Sequence, residues 1–260
     1  MIVAMISCLR FLSVAERKII LNHVSSKNSP VRSLQPLLAL GHPLVVGTMH
    51  QRTGLAVGCK CTPCSSRGID ILEARLDCLE GFLPPEKFSL PVIATARHPA
   101  EGGTGNLPVS CRSQLLREAL TWASAIDVEL RSASALAPVV AEAHQHGRTV
   151  ILSHHDFAAT PTVSALQKLS RRAADAGADL FKVATMLRDQ HDLQRLIQFQ
   201  VSSAKIPVVA MGMGTAGRFS RLVLCGFGAP LCYGWLGKPQ VPGQWPALKL
   251  RGMLDEVLPA

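Results

Sequence analysis

The sequence contains few aromatic residues, with one Tyr and three Trp among 260 residues, and no basic run with aromatic residues between the charges. Proteins that bind single-stranded nucleic acid stack the bases on aromatic side chains inside basic grooves. The composition therefore argues against nucleic-acid binding. The formal net charge is +9, of which +4 falls within residues 1–35. The remaining +5 suits a protein that handles small anions.

Long uninterrupted apolar runs are also missing. Residues Met1 to Val24 are largely apolar, but four charged residues interrupt them, and the stretch is too short and too charged to cross a bilayer. Its positive charges follow the apolar part, unlike those of a secretory signal peptide. We expect residues 1–35 to be a poorly ordered extension or the product of an upstream start. The alternatives are a membrane-surface helix and a targeting segment.

Cysteine is too scarce for a disulfide scaffold, with eight residues in a chain of this length. We therefore expect reduced thiols and a cytoplasmic protein. Cys59, Cys61 and Cys64 form the one cluster, and their C-x-C-x-x-C spacing could hold a metal ion. No paired ligand set follows nearby, so we interpret them as loop thiols rather than a zinc site.

Short apolar segments recur from Pro43 onward and indicate eight strands. They are Pro43 to Met49, Ile69 to Leu76, Pro91 to Arg97, Ala125 to Leu130, Thr149 to His155, Asp179 to Thr185, Pro207 to Met213 and Pro230 to Trp235. Amphipathic helices are predicted at Ser110 to Trp122, Pro138 to His146, Val163 to Ala176, Asp189 to Ser203 and Pro246 to Leu258. This alternation predicts a single α/β domain, a (β/α)8 TIM barrel over residues 36–260, with a doubly wound open sheet as the rival. Residues 54–66 show no convincing helical period.

One lysine lies in the apolar segment GADLFKVATM, which runs from Gly177 to Met186 and is typical of a buried strand. Removing the ammonium of Lys182 from water is costly, so it must pair with a group such as Asp179, reach solvent, or lose its proton. A neutral amine can attack a ketone or aldehyde and form a Schiff base, which serves as an electron sink. The segment alone leaves these alternatives open.

Polar residues gather where the predicted strands end, which in a barrel is where chemistry takes place. They are Glu73, Arg75, Arg97, Glu101, Asp127, Glu129, His154, His155, Asp156, Lys182 and Gln244, and Met211 and Met213 lie at the corresponding end of the seventh strand. A histidine can take and return a proton, and of two consecutive histidines in a strand only one faces the pocket. Arg221 offers a guanidinium fork for a carboxylate. It follows GMGTAG, which also matches the dinucleotide-binding pattern but has no acidic residue about 20 positions later.

Several ordered motifs between about Pro43 and Gln244 resemble those of the type I 3-dehydroquinate dehydratases. The motifs are EARLD (Glu73 to Asp77), TARHPAEGG (Thr95 to Gly103), IDVEL (Ile126 to Leu130), SHHDFAATP (Ser153 to Pro161), GADLFKVATM, MGMGTAGRFSR (Met211 to Arg221) and VPGQ (Val241 to Gln244). Each motif is weak alone, but their order and spacing together make chance agreement improbable.

The resemblance implies roles for individual residues. Lys182 is the Schiff-base lysine, His155 the general acid/base with His154 as its non-catalytic neighbour, and Glu101 the carboxylate that orients His155. The other positions that match the family's substrate site are Glu73, Arg75 and Arg97 on the hydroxyl side, Arg221 at the carboxylate, Gln244 in the closing loop, and Met211, Met213 and Tyr233 in the apolar lining. Many members have Phe where this chain has Tyr233, and a small Ser where it has Gln240.

The implied reaction converts 3-dehydroquinate to 3-dehydroshikimate without a metal ion or organic cofactor, in a homodimer. Two alternatives remain at this point. A class I aldolase would also use a Schiff-base lysine, but such enzymes commonly need a phosphate site near the seventh and eighth strands. A barrel that binds a small acid without converting it is favoured only by the unusual Gln240 in the closing loop.

Overall fold

Eight parallel strands organise the protein. The computed structural model describes residues 34–50, 68–78, 90–202, 204–239 and 241–258. The strands are β1 (Leu44–Met49), β2 (Ile71–Arg75), β3 (Val92–Thr95), β4 (Ala125–Glu129), β5 (Thr149–Asp156), β6 (Leu180–Met186), β7 (Val208–Met213) and β8 (Leu231–Leu236). Each lies within or beside the segment in which it was predicted, so the predicted TIM-barrel fold is confirmed.

The structure describes seven α-helices, and from β3 onward each strand is followed by one of them. They are α1 (Gln35–Leu38), α2 (Val109–Ala119), α3 (Ala137–Gln145), α4 (Val163–Asp175), α5 (Gln190–Val201), α6 (Gly217–Gly226) and α7 (Ala247–Val257). The five predicted helices are present, with ends shifted by at most three residues. Two helices were not predicted, namely α1, which is a single turn, and α6. The glycine-rich segment in which α6 begins concealed its amphipathic pattern.

The sheet is a nearly closed barrel. Its strand order is β7-β6-β5-β4-β3-β2-β1-β8, and each neighbouring pair is parallel. No ladder of hydrogen bonds joins the described parts of β7 and β8. Helix α6 packs against both of these strands and covers the gap from outside.

Alternate residues of each strand face the barrel axis, and the residues between them pack against the helices. In β6, Leu180 and Ala184 belong to the interior cluster, whereas Phe181 and Val183 belong to the cluster beneath the helices. Lys182 therefore points into the barrel. Leu34 is also fully buried in the interior cluster, although the division of the chain at residues 35 and 36 remains a prediction.

Several predictions concern residues outside the described ranges, namely residues 1–33, the cluster Cys59, Cys61 and Cys64, and Gln240. The expectation that all thiols are reduced is wrong, because Cys111 is disulfide-bonded. The spacing of cysteines in the sequence did not indicate a disulfide bond at Cys111. Within the described residues, no helix is long and apolar enough to span a membrane, and no cluster of His, Cys, Asp and Glu could bind a metal ion.

Candidate active site

Lys182 is fully enclosed at the carboxyl end of the barrel and touches two carboxylates. Its Nζ forms an ion pair with Asp127 on β4 and lies 3.7 Å from Glu73 Oε1 on β2. The suggested pairing with Asp179 is wrong. That carboxylate lies outside the barrel, where it accepts a hydrogen bond from the Val150 amide at 2.7 Å and contacts His144 at 3.3 Å.

Arg97 joins the acidic groups around Lys182 into one buried network. Its Nη1 lies 3.1 Å from Asp127 Oδ1 and 3.0 Å from Glu129 Oε1, and it donates a hydrogen bond to Ser153 at 2.7 Å. Burial raises the pKa of Asp127, but the charges of Arg97 and Lys182 outweigh this and hold the pKa well below its usual range. Asp127 is therefore ionised at neutral pH. Because Arg97 is engaged by protein carboxylates, it positions the network more than it offers a free binding group.

His155 lies beside Lys182 in the barrel mouth. On β5, Ser153 pairs with Lys182 of β6, and His155 is the next residue along β5 that faces inward. Its Nδ1 lies 2.9 Å from Glu101 Oε2, which also accepts the His155 backbone amide at 2.9 Å. Burial and the positive charges of Arg97 and Lys182 hold the pKa of His155 well below its ordinary value. A neutral imidazole anchored through Nδ1 leaves Nε2 free to act as a base.

Glu101 owes its position to a single turn of 3-10 helix, Pro99–Glu101, after β3. The turn ends at Gly102, whose φ of 84° is a left-handed conformation that favours glycine. The carbonyl of Gly102 accepts a hydrogen bond from Arg75 at 3.1 Å. Burial and the negative charge of Glu129 raise the pKa of Glu101 to about 7.

The raised pKa of Glu101 predicts a pH-dependent stability difference. A carboxyl whose pKa is higher in the folded than in the unfolded protein stabilises the fold below its unfolded pKa, and this contribution disappears as the pH rises through about 7. The free energy of unfolding of Glu101→Gln minus that of wild type should therefore be about 2–3 kcal/mol larger at pH 8 than at pH 5. Urea unfolding at both pH values measures this. An equal difference at both would contradict the assignment.

A cavity of about 350 Å³ lies above Lys182. It is lined by Thr48, His50, Glu73, Arg75, Cys78, Arg97, Glu101, Gly102, Thr104, His155, Phe157, Lys182, Ala184, Met211, Met213, Arg221, Tyr233, Pro239, Val241 and Gln244. All the predicted site residues that the structure describes are therefore in one place. A second cavity of about 520 Å³ lies at the opposite end of the barrel and contains none of the buried acid and base groups described above.

The β1 to β3 side of the cavity is polar. Glu73 accepts hydrogen bonds from Thr48 at 2.8 Å and Thr95 at 2.9 Å. The Arg75 guanidinium is fixed by Asp77 through contacts of 2.9 Å and 2.8 Å. These groups form a rigid arrangement of donors and acceptors suited to a ligand with hydroxyl groups.

The β7 to β8 side contains a buried cation. Arg221 on α6 donates to the carbonyls of Tyr233 at 3.0 Å and Gly243 at 3.2 Å. It forms no ion pair with a carboxylate of the described residues, and burial lowers its pKa. A buried guanidinium that contacts only neutral protein groups is suited to bind an anion.

Glycines allow the closing loop to approach Arg221. The Gly214 amide donates to the Pro242 carbonyl at 3.3 Å. A Cβ atom on Gly243 would lie 2.3 Å from the Gly214 carbonyl oxygen, so only glycine fits this contact. Gly214 and Gly217 of GMGTAG therefore allow close packing of the loop, whereas Gly212 faces Leu187 and Ser220. Gln244, which follows directly, is buried and accepts a hydrogen bond from the Val241 amide at 3.4 Å.

The remaining lining is less polar. Met211, Met213 and Tyr233 are buried, and Lys182 Nζ lies 4.5 Å from the centroid of the Tyr233 ring. No role was predicted for Thr48, His50, Thr95, Thr104 and Ser153, and Asp127 was predicted only to lie at the end of its strand. Spacing by two residues places Thr95 on the same face as Arg97 and Asp127 on the same face as Glu129, but nothing local indicated His50.

Comparisons with known proteins agree with this geometry. Residues 55–257 match the family described as type I 3-dehydroquinase. The 3-dehydroquinate dehydratase of Methanothermobacter thermautotrophicus is 34% identical over 200 residues, which are 74% of this chain and 87% of that protein. The 3-dehydroquinate dehydratase of Klebsiella pneumoniae is 31% identical over 253 residues, which are 90% of this chain and 98% of that protein.

Solved structures are similar over most of the barrel. The type I 3-dehydroquinate dehydratase of Clostridium difficile, with covalently modified comenic acid, has a TM-score of 0.72 and 25% identity, covering 84% of this chain and 92% of that chain. The enzyme of Aquifex aeolicus has a TM-score of 0.70 and 24% identity, covering 84% and 100%, which shows a shared fold. With the family match and the two relatives above, these findings show that the chain belongs to the type I 3-dehydroquinase family of lyases.

Proposed function

We propose that this protein dehydrates 3-dehydroquinate to 3-dehydroshikimate through an imine on Lys182. The observation that carries the proposal is an enclosed lysine amine, next to a histidine held neutral and anchored by a carboxylate, in a cavity with a buried arginine on its far side. Family membership supports the overall reaction, and the geometry supports the covalent route.

The charges of the cavity support one orientation of the substrate. Its carboxylate binds Arg221, which has no protein anion among its described partners. The C3 ketone then faces Lys182, and the ring hydroxyls face Glu73 and Arg75, whose side chains are already held by neighbouring groups. Fixing the ketone beside the amine replaces a bimolecular encounter by a reaction within one complex.

The first chemical steps join the substrate to the enzyme. His155 accepts the proton that Lys182 must lose, and the neutral amine attacks C3 to give a carbinolamine. His155 returns the proton to the departing hydroxyl, which leaves as water, and a protonated imine forms. The Asp127 carboxylate, which pairs with Nζ and keeps its negative charge, stabilises this cation.

The later steps remove the second water. The iminium draws electrons from the neighbouring C–H bond, so His155 can take the proton from C2 and an enamine forms. Protonated His155 then gives that proton to the C1 hydroxyl, which leaves as water while the C1–C2 double bond forms. Hydrolysis of the imine consumes one water and frees Lys182, so the net reaction releases a single water.

Ultraviolet absorbance tests this function directly, because the product is an enone and the substrate is not. We expect purified protein to generate the enone absorbance from 3-dehydroquinate without added metal or cofactor. A class I aldolase would instead convert sugar phosphates and leave 3-dehydroquinate unchanged. Binding of 3-dehydroquinate without any absorbance change would favour a non-catalytic barrel. Cytoplasmic location and a homodimer remain predictions.

A further inference from the structure

The cavity lining contains buried polar atoms without a hydrogen-bond partner. Four buried side-chain polar atoms of the described residues have no hydrogen-bond partner, and two of them belong to lining residues, His50 Nδ1 and the Tyr233 hydroxyl. Tyr233 is the more enclosed of these two residues. A buried hydroxyl without a partner destabilises a fold. Phenylalanine would fill the same space without that cost, so the hydroxyl points to a ligand group that accepts its hydrogen bond.

The position of Tyr233 determines which ligand atoms its hydroxyl can contact. Its ring packs against Lys182 Nζ, with 4.5 Å between the nitrogen and the ring centroid. A carbon joined to Nζ therefore holds its oxygen substituent beside the same ring. Burial and the negative charges of Glu73 and Asp127 raise the pKa of Tyr233 well above its ordinary value. The phenol is therefore protonated at neutral pH and can donate a hydrogen bond.

We propose that the Tyr233 hydroxyl donates a hydrogen bond to the oxygen on the ligand carbon attacked by Lys182. This oxygen belongs to the ketone before attack and to the carbinolamine afterwards. The inference rests on the proposed function. No proton is transferred from the phenol, because the departing hydroxyl receives its proton from His155. The hydrogen bond strengthens as negative charge develops on the ketone oxygen, so it favours the transition state of attack over the bound substrate.

The test removes one oxygen atom, in the variant Tyr233→Phe. We expect the rate of adduct formation, measured by rapid mixing with 3-dehydroquinate and quenching with borohydride, to fall by about ten- to a hundredfold. KM should change by less than about threefold, because the ground state gains little from the bond. The melting temperature of the free protein should stay equal or rise. Tyr233→Leu, which also removes the ring beside Nζ, should lose more activity.

The outcomes separate this inference from the function on which it rests. A wild-type protein that forms neither adduct nor product would contradict the proposed function. An active wild type together with an unchanged rate of adduct formation in Tyr233→Phe would overturn only the role of the hydroxyl. A clear decrease in the melting temperature of Tyr233→Phe would also overturn it, because the hydroxyl would then stabilise the free protein rather than the bound ligand.

Discussion

Replacing Lys182 with alanine is expected to lower kcat for 3-dehydroquinate by on the order of 10⁵-fold, because the covalent route is lost together with its electron sink. The same change should abolish the adduct that borohydride traps in the wild type. Mass spectrometry of the reduced protein measures the second effect independently of turnover. An adduct that persists in Lys182→Ala, or that maps to another lysine of the wild type, would contradict the assignment.

Two further variants make this experiment specific. Lys182→Met fills most of the space of the lysine, so a loss of activity in both variants cannot be attributed to a new cavity. Lys205→Met removes a lysine whose ammonium is exposed and pairs with Asp175 at 3.5 Å on the surface. Surface ion pairs contribute little, so Lys205→Met should retain wild-type turnover and the full yield of adduct.

Replacing His155 with alanine should lower kcat by about 10³-fold, the typical contribution of a general acid and base. Its effect should differ in kind from the loss of Lys182. Because His155 serves the steps after imine formation as well as before it, the variant should accumulate imine during slow turnover. Borohydride should then trap a larger fraction of His155→Ala than of wild-type protein under steady-state conditions.

His154 provides a matched control for this result. It precedes His155 in β5 but is not among the residues that line the cavity, because consecutive side chains of a strand face opposite sides. His154→Ala should keep kcat within about twofold of wild type. Equal losses of kcat in the two variants, or no accumulation of imine in His155→Ala, would contradict the separate roles proposed for His155 and Lys182.

The fold could be predicted largely from local pattern. Short apolar strands and amphipathic helices alternate strongly enough to indicate a barrel, because each element must bury one face against its neighbours. Of the two helices that were not predicted, α6 shows the limit of this approach. Its first residue is Gly217, and a Cβ atom there would lie 2.9 Å from the Gly212 carbonyl oxygen. Close packing of α6 against β7 therefore requires glycine at this position, and glycine is not a residue that usually indicates the start of a helix.

The site was predicted as a set of residues, whereas its internal contacts were not. The apolar neighbours of Lys182 in the sequence suggested a nonpolar environment, but its contacts come from Asp127 and Glu73, which are distant in sequence and adjacent only in the barrel. Similarly, Arg97 was expected to bind substrate hydroxyls, yet its guanidinium is held by protein carboxylates. The carboxylates that Lys182 and Arg97 contact depend on the register between neighbouring strands. The spacing of residues along one strand does not reveal this register.

The described residues of β7 and β8 form no ladder, so the Lys182 side and the Arg221 side of the mouth are joined by different contacts. On the Lys182 side, backbone hydrogen bonds run without interruption from β1 to β7, so the strands that carry the amine, the imidazole and Asp127 are continuously paired. On the Arg221 side, one guanidinium spans the opening by binding the Tyr233 carbonyl and approaching the Met211 sulfur at 3.5 Å. In the proposed complex, the substrate carboxylate would therefore bind where the sheet is open, and the reacting carbon would lie where the strands are continuously paired.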